Sequence, residues 1–229
     1  MRFQNRKVVV TGGTGALGAA VVELLVQEGA EVWVPVHGRK GAPVAGPGKV
    51  EFVEGVDLSD EAAVSAFYQK AGPLWASIHT AGGFSMSPIA ETSKADFQKM
   101  FDSNALTAFL CCREAVKQIR AAGIGGRIVN VTAKPALHPV EGMTAYSVSK
   151  AAVLSLTLSL AEELSRESIW VNAVVPSIMD TPQNRASFPS KTDFSQWPSV
   201  ADVAATLLFL ASVDNRVTRG AAVPVYGKS

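Results

Sequence analysis

The chain of 229 residues has only two cysteines, Cys111 and Cys112, and they are neighbours. A bridge between adjacent cysteines would be strained, and no Cys/His spacing suits a metal. Neither a disulfide nor a metal scaffold is expected, and a reducing compartment fits. Charge is scarce at 18% of residues, balanced to a formal net charge of +1 without a Lys/Arg tract. Nucleic acid and anionic membranes are therefore not expected partners. No apolar run reaches the roughly 18 uncharged residues of a membrane span, and no apolar signal region precedes the first strand pattern, so the cytoplasm is the expected location. Internal repeats and low-complexity tracts are also missing. What is present in quantity is apolar surface: 48% of the chain is hydrophobic, enough for one sizeable core. A single domain over residues 1–229 is expected.

Lys7 to Thr11 is a short β-branched run of the kind that forms a buried parallel strand. It passes through Gly12, Gly13, Thr14, Gly15, Ala16, Leu17 and Gly18 into a helical pattern carried by Val21, Val22, Leu24 and Leu25. Gly13-x-Gly15-x-x-Gly18 is a formal dinucleotide fingerprint. Its glycines permit a tight turn, let backbone approach a pyrophosphate and pack the helix close to the strand, while the first-turn amides favour phosphate. A glycine-rich turn between strand and helix can also be only a turn, and the rest of the chain has to decide.

The next strand, Glu31 to Val36, ends in Val36-His37-Gly38-Arg39-Lys40, with no acid until Glu51. An acidic residue at this tip would accept from an adenosine ribose 2′-hydroxyl and repel a 2′-phosphate. Its absence, with the nearby cations, points to NADP(H), with NAD(H) left open. The alternative is that Arg39 and Lys40 are ordinary solvated loop charges. After a third strand over Val50 to Glu54 comes Asp57-Leu58, for which two readings stand: a carboxylate accepting from an adenine amino group, or part of the N-terminal region of the following helix.

Further on, the pattern predicts a helix over 60–71 and a strand from Leu74 to Thr80 running into Ala81-Gly82-Gly83, a second glycine turn at the same crevice. A helix over 94–122, bent near Asp102-Ser103-Asn104, then leads to a strand over Arg127 to Thr132. A helix over Thr144 to Ser165, a strand over Ile169 to Val175, a helix over Val200 to Ser212 and a strand over Ala221 to Val225 complete the chain. Strands alternating with helices specify an α/β fold, a doubly wound parallel sheet of about seven strands with helices on both faces. The helix over 144–165 is apolar on more than one face, and a homodimer or homotetramer through the two long helices, about 94–122 and 144–165, is the natural use of that surplus.

Tyr146-Ser-Val-Ser-Lys150 places a phenol and an ammonium one helical turn apart. A nearby cation favours phenolate, so this pair is expected to lower the tyrosine pKa and ready the hydroxyl for proton exchange near neutral pH. Taken alone, Tyr-x-x-x-Lys is usually an unrelated surface pair; following a nucleotide fingerprint it carries more weight.

Together, Thr11-Gly-Gly-Thr-Gly-Ala-Leu-Gly18, Ala81-Gly-Gly83, Asn104, Tyr146-x-x-x-Lys150 and Pro176 with Thr181-Pro182 resemble the short-chain dehydrogenase/reductase family over essentially the whole chain. The resemblance implies a single-domain Rossmann fold, a nicotinamide cofactor and Tyr146 as proton donor or acceptor. It also implies that Lys150 binds the nicotinamide ribose and tunes the tyrosine, and that Asn104 holds a relay water. Without it, Asn104 is a polar residue in mid-helix making local bonds. Three departures matter. Ala133 stands where the family usually has a carbonyl-binding serine, and the neighbouring Thr132 should point to the opposite face unless the strand end bulges. Thr80 replaces an asparagine, and Ser177 replaces a glycine after Pro176.

Residues 133–137, Gly142-Met143, 180–185, Phe188-Pro189 and 193–197 resemble the dihydropteridine reductase branch, which also dispenses with the serine. That branch lacks Asn104 and carries an acid after the second strand, so the match speaks to ancestry more than to substrate. One lost oxyanion hydrogen bond costs on the order of 10²- to 10³-fold where a site depends on it. A quinonoid dihydropterin, quinone-like compound or other conjugated acceptor needs that polarisation less than a simple carbonyl. A water near Asn104 or the flanking His138 are alternative replacements for the serine, although His138 also reads as an exposed loop residue. The stretch 177–198 is expected to be a substrate loop closing over substrate and nicotinamide, with Thr181 near the carboxamide. Phe188, Phe194 and Trp197 there either wall a flat substrate or tack the loop to the body. The expected activity is an NAD(P)H-dependent oxidoreductase acting on a small molecule. The alternative is a catalytically weak NADP(H)-binding regulator, motivated by Ala133 and Thr80.

Overall fold

In the computed structural model, which describes residues 1–38 and 41–229, seven strands form one parallel sheet in the order β3-β2-β1-β4-β5-β6-β7. Strand β1 is Lys7–Thr11, β2 Glu31–Val36 and β3 Lys49–Glu54; β4 is Ala76–His79, β5 Gly126–Val131, β6 Ile169–Pro176 and β7 Ala222–Val225. The helices between them are α1 Ala16–Gln27, α2 Glu61–Ala71, α3 Lys94–Phe101, α4 Thr107–Ala122, α5 Thr144–Glu163, α6 Pro182–Ala186 and α7 Val200–Ala211. This is the single-domain Rossmann-like α/β arrangement expected from the alternating pattern. The sheet order reverses between β1 and β4, and in such sheets the crevice outside the carboxyl ends at that point is where ligands bind.

Strand side chains alternate between faces, so neighbouring residues of β1 feed two cores. Val8 and Val10 join α1 and α7 through Val21, Val22, Leu25, Val203, Leu207 and Leu208. Val9 faces the other way, to α2, α4 and the end of α5, where Phe67, Tyr68, Leu110, Ala115, Ile119 and Ala161 pack. Helix starts follow local chemistry. Asp60 caps α2 by accepting from the amides of Ala62 and Ala63, and reciprocal capping boxes open α3 through Ser93 and Asp96 and α7 through Ser199 and Asp202.

Several expected boundaries shift. β4 is shorter than Leu74 to Thr80, because Leu74 and Trp75 lie before it and Thr80 has already turned toward β1, donating its hydroxyl to the Thr11 carbonyl at 2.7 Å. The long helix over 94–122 is three pieces: α3, a π-helical turn over Asp102–Leu106, and α4. The bend expected near Asn104 is therefore an inserted residue in the helix rather than a break, the local widening that π-turns produce. Residues 177–198 are not a featureless loop. They contain α6, with Thr181 as N-cap and Pro182 at the first helical position, and a 3-10 turn over Phe194–Gln196. An isolated parallel bridge from Asp180 to Ser199 closes the base of this segment.

Candidate functional site

The turn after β1 requires glycine at Gly12 and, where α1 rests on it, at Gly18. Gly12 has φ of 69°, and a Cβ there would lie 2.6 Å from the Ala81 nitrogen. A Cβ on Gly18 would sit 2.1 Å from the Gly12 carbonyl oxygen, so the first turn of α1 rests directly on the loop. Helix α1 has Gly15 as its N-cap, without a side-chain cap and without an acid in its first turn. Its leading amides are thus left to an outside acceptor, and Gly15 and Ala16 are exposed beside the half-buried Thr14 while Leu17 packs inward. A pyrophosphate fits this cradle.

Around the rest of the crevice, Val36 is buried at the end of β2 and His37 is exposed beyond it. Arg39, the cation expected to favour a 2′-phosphate, lies outside the described residues. The Asp57 side chain accepts from both the amide and the hydroxyl of Ser59, at 2.9 and 2.8 Å, and these bonds hold its carboxyl below the usual range. Asp57 thus shapes the turn into α2 through its Oδ1, although the cap itself is Asp60. Leu58 is half-buried against the core beneath this turn.

Across the crevice Asn104, displayed by the π-turn, clasps the second glycine turn. Its Nδ2 donates to the Gly83 carbonyl and its Oδ1 accepts from the Gly83 amide, both at 3.1 Å. The same Nδ2 lies 3.0 Å from the Ser149 hydroxyl, which donates to the Tyr146 carbonyl at 2.7 Å. Asn104 is therefore bonded to α5 and to the β4 loop rather than locally. Ser149 was not anticipated from the sequence; its position within the Tyr-x-x-x-Lys helix was the signal. A Cβ on Gly82 would meet Asn104 Oδ1 at 2.5 Å and Lys150 Nζ at 3.2 Å, so Gly82, Asn104 and Lys150 converge.

Tyr146 and Lys150 share a helix face, with Lys150 Nζ 6.0 Å from the tyrosine ring centroid. Lys150 donates to the Val131 carbonyl at 3.1 Å. Here the expected tuning is corrected: burial pushes the Tyr146 phenol up to about 12 and the Lys150 ammonium down to about 8. Desolvation penalises the charged form of both groups, and Lys150 makes no hydrogen bond to the phenol that would offset it. Burial thus favours the neutral phenol at Tyr146. Phe84, unnoticed in the sequence, packs edge-on to it with ring centroids 5.0 Å apart.

Ala133 is buried, and the Thr132 hydroxyl donates to the Lys150 carbonyl at 2.9 Å, turned away as its strand parity predicts. The strand end does not bulge to rescue it. His138 is exposed, with its ring 6.3 Å from that of Tyr226. Pro176 ends β6 in register with Val225. Thr181 is buried, its hydroxyl accepting from the Asn184 amide. Phe188 and Phe194 both pack edge-on against Trp197, at 5.0 and 4.8 Å, and the Arg185 guanidinium lies 5.0 Å from the Phe194 ring. Those aromatics pack against one another within the segment. A cavity of about 590 Å³ lined by Arg6, Glu31, Lys49 and Trp75 lies at the opposite, amino ends of the strands and away from this chemistry.

A profile of the short chain dehydrogenase family matches residues 6–192. The chain belongs to the short-chain dehydrogenase/reductase family. It is 33% identical over 207 residues to a 3beta-hydroxysteroid dehydrogenase of Mediterraneibacter gnavus, covering 85% of this chain and 74% of that one. A cyclopentanol dehydrogenase of Comamonas testosteroni is 28% identical over 99% of this chain and 97% of its own. Among solved structures, a short-chain type dehydrogenase/reductase from Mycobacterium ulcerans superposes with a TM-score of 0.90 at 25% identity, covering all of this chain and 90% of that one. The chain is accordingly an oxidoreductase of a family that works with NAD(P)(H). The regulator reading draws no support from relatives that are enzymes. No helix among the described residues is long and apolar enough to cross a membrane.

Proposed function

We propose that this short-chain dehydrogenase/reductase uses NADPH in preference to NADH and reduces a small conjugated acceptor: a quinone-like compound, a conjugated carbonyl or a quinonoid dihydropterin. The cofactor supplies hydride. The glycine turn from Gly12 to Gly18 takes the pyrophosphate, Ala81, Gly82 and Gly83 flank it, and Thr181 and Pro176 border the nicotinamide end. Tyr146 delivers the proton, Lys150 holds the ribose and Asn104 supports the relay. Ancestry with the dihydropteridine reductase branch belongs to the same proposal.

The observation that carries the acceptor class is at residues 132–133. Ala133 has no hydroxyl and that of Thr132 is spent on Lys150, so a carbonyl oxygen meets one fewer donor than in the family's usual site. An acceptor whose incoming electron pair is delocalised tolerates that loss better than an isolated ketone. For the cofactor, the support is the absence of any acid at the β2 tip, where Val36 and His37 stand. Exposed apolar side chains on α3, α4 and α5, among them Phe97, Phe101, Phe109, Val148 and Leu158, support a homodimer or homotetramer through these helices. Cytoplasmic location is part of the reading.

A second reading, an ordinary ketone/alcohol dehydrogenase, is favoured by relatives whose names specify a hydroxysteroid and cyclopentanol. Parallel titration with NADPH and NADH, followed by turnover of quinone, diketone, quinonoid dihydropterin and cyclic ketone with the tighter cofactor, separates the two. Tighter NADH binding refutes the cofactor preference, and a cyclic ketone reduced faster than every conjugated acceptor refutes the acceptor class.

A further inference from the structure

Lys134 follows the serine-less position, and its surroundings are arranged around its charge. Its backbone is fixed in a 3-10 turn in which Ala136 bonds back to Ala133 and both Leu137 and His138 donate to the Lys134 carbonyl. From this turn, at the carboxyl end of β5, the side chain reaches toward the far side of β6. Its Nζ lies 5.0 Å from the ring centroid of Tyr226, just beyond the end of β7. Strand β6 runs between β5 and β7, so the ammonium crosses the point where the substrate segment leaves the sheet. Tyr226 is itself held there: its carbonyl accepts from the Ser177 hydroxyl at 3.0 Å, and the following residues bind the base of the substrate segment through Lys228 to the Gln196 carbonyl. No carboxylate pairs with Lys134 among the described residues, whereas Arg185 close by in sequence to the same segment is neutralised by Asp180.

Next to Tyr146, the β4 loop presents Phe84 and Met86, 60% and 59% exposed. The Ser87 amide donates to the Gly142 carbonyl at 2.7 Å, pinning this loop to the start of α5, and Met86 lies against Gly142. Two large apolar side chains left in water beside a proton donor are covered only when something apolar enters. The carboxyl edge of the sheet thus carries an exposed apolar pair after β4 and, after the neighbouring β5, an ammonium with no carboxylate partner among the described residues.

We infer that the acceptor is an amphipathic molecule with an acidic group, its apolar body against Phe84 and Met86 and its anion on Lys134. This rests on the oxidoreductase reading above and deepens it by naming a substrate class. Lys134 steers and orients; the proton still comes from Tyr146. With the anion anchored, the reacting carbonyl is held in place by binding at a distance from it, which offsets part of what the missing Ala133 hydroxyl would have supplied.

The test uses the full chain with NADPH and a matched pair of probes: a diaryl 1,2-diketone carrying one ring carboxylate, and the methyl ester of the same compound. Binding to the NADPH-loaded protein is read by calorimetry with unreactive diol forms of both, and turnover is read separately. The expected result is that the carboxylate binds and has a lower KM than the ester by about tenfold or more, and that added salt narrows the gap. Lys134→Met lowers kcat/KM and affinity for the carboxylate to the ester's level, Lys134→Arg keeps most of the preference, and Phe84→Ala weakens both probes alike. Equal binding of the two probes, or a Lys134→Met variant that still prefers the carboxylate, overturns the inference while leaving the oxidoreductase reading intact. Lys134-dependent binding of the carboxylate without reduction of either probe overturns the conjugated-acceptor reading instead and keeps the anion site.

Discussion

Replacing His79 with glutamine should flatten the acid side of the stability profile. His79 is fully buried in β4, and burial lowers its pKa from 6.5 to about 4. Its Nδ1 lies 2.8 Å from Asn130 Oδ1, while its Nε2 lies 2.8 Å from the Ser77 hydroxyl and 3.3 Å from that of Tyr68. Because Asn130 uses its Nδ2 to donate to Thr157 on α5, its oxygen faces the histidine, so Nδ1 carries the proton and the ring is neutral. The sign follows from that depression. The unfolded chain takes up a proton on His79 below about pH 6.5 and the folded one only near pH 4. The contribution is therefore complete above pH 6.5, falls as pH drops through that window, and stops falling near pH 4. About 2.5 pH units at 1.36 kcal/mol per unit make the loss about 3 kcal/mol. Urea unfolding of wild type and His79→Gln at half-unit steps from pH 8 to 4 measures it. The carboxylates titrate alike in both proteins and cancel in the difference. Wild type should be the more stable at pH 7, and its advantage should shrink by about 3 kcal/mol on reaching pH 4. Parallel profiles would refute the assignment of a buried neutral imidazole.

Other consequences follow from single groups. Gly18→Ala places a methyl 2.1 Å from the Gly12 carbonyl, so NADPH affinity should fall at least tenfold in a titration, with a lowered unfolding temperature. Ala133→Ser restores a donor at the carbonyl and should raise kcat for a simple cyclic ketone by about tenfold or more while a quinone changes little, a contrast read by steady-state kinetics on both acceptors. Thr157→Val leaves Asn130 Nδ2 unpaired in the core, and chemical denaturation should register about 1 to 3 kcal/mol of lost stability.

The parts of this protein that follow local rules were legible in its sequence. Lys7 to Thr11 reads as a buried strand and is β1, and the glycines after it form the turn into α1. The π-turn at Asp102–Leu106 was visible only as a bend, because an extra residue in a helix leaves the 3.6 periodicity on either side intact. Helix α6 carried its own signal, Thr181 ahead of Pro182, but five residues of helix are too few for a pattern. The tyrosine pKa ran opposite to expectation because sequence spacing gives the separation along a helix and not the burial, and burial sets the larger effect at Tyr146. The buried polar cluster was missed although Ser77 and His79 share one face of β4 at a spacing of two, inside an otherwise apolar strand. Phe84 meets Tyr146, and Lys134 meets Tyr226, across long separations in sequence that no local pattern reports.

The central claim is that Tyr146 gives up the proton beside a nicotinamide held by Lys150 and the glycine turn. Single-turnover reduction of a quinone or diketone by pre-bound NADPH, compared between wild type and Tyr146→Phe, addresses it most directly. The account predicts that NADPH affinity stays within about threefold while the reduction step slows by about 10²- to 10⁴-fold, the range expected for loss of a general acid. An undiminished reduction rate in the phenylalanine variant would contradict it.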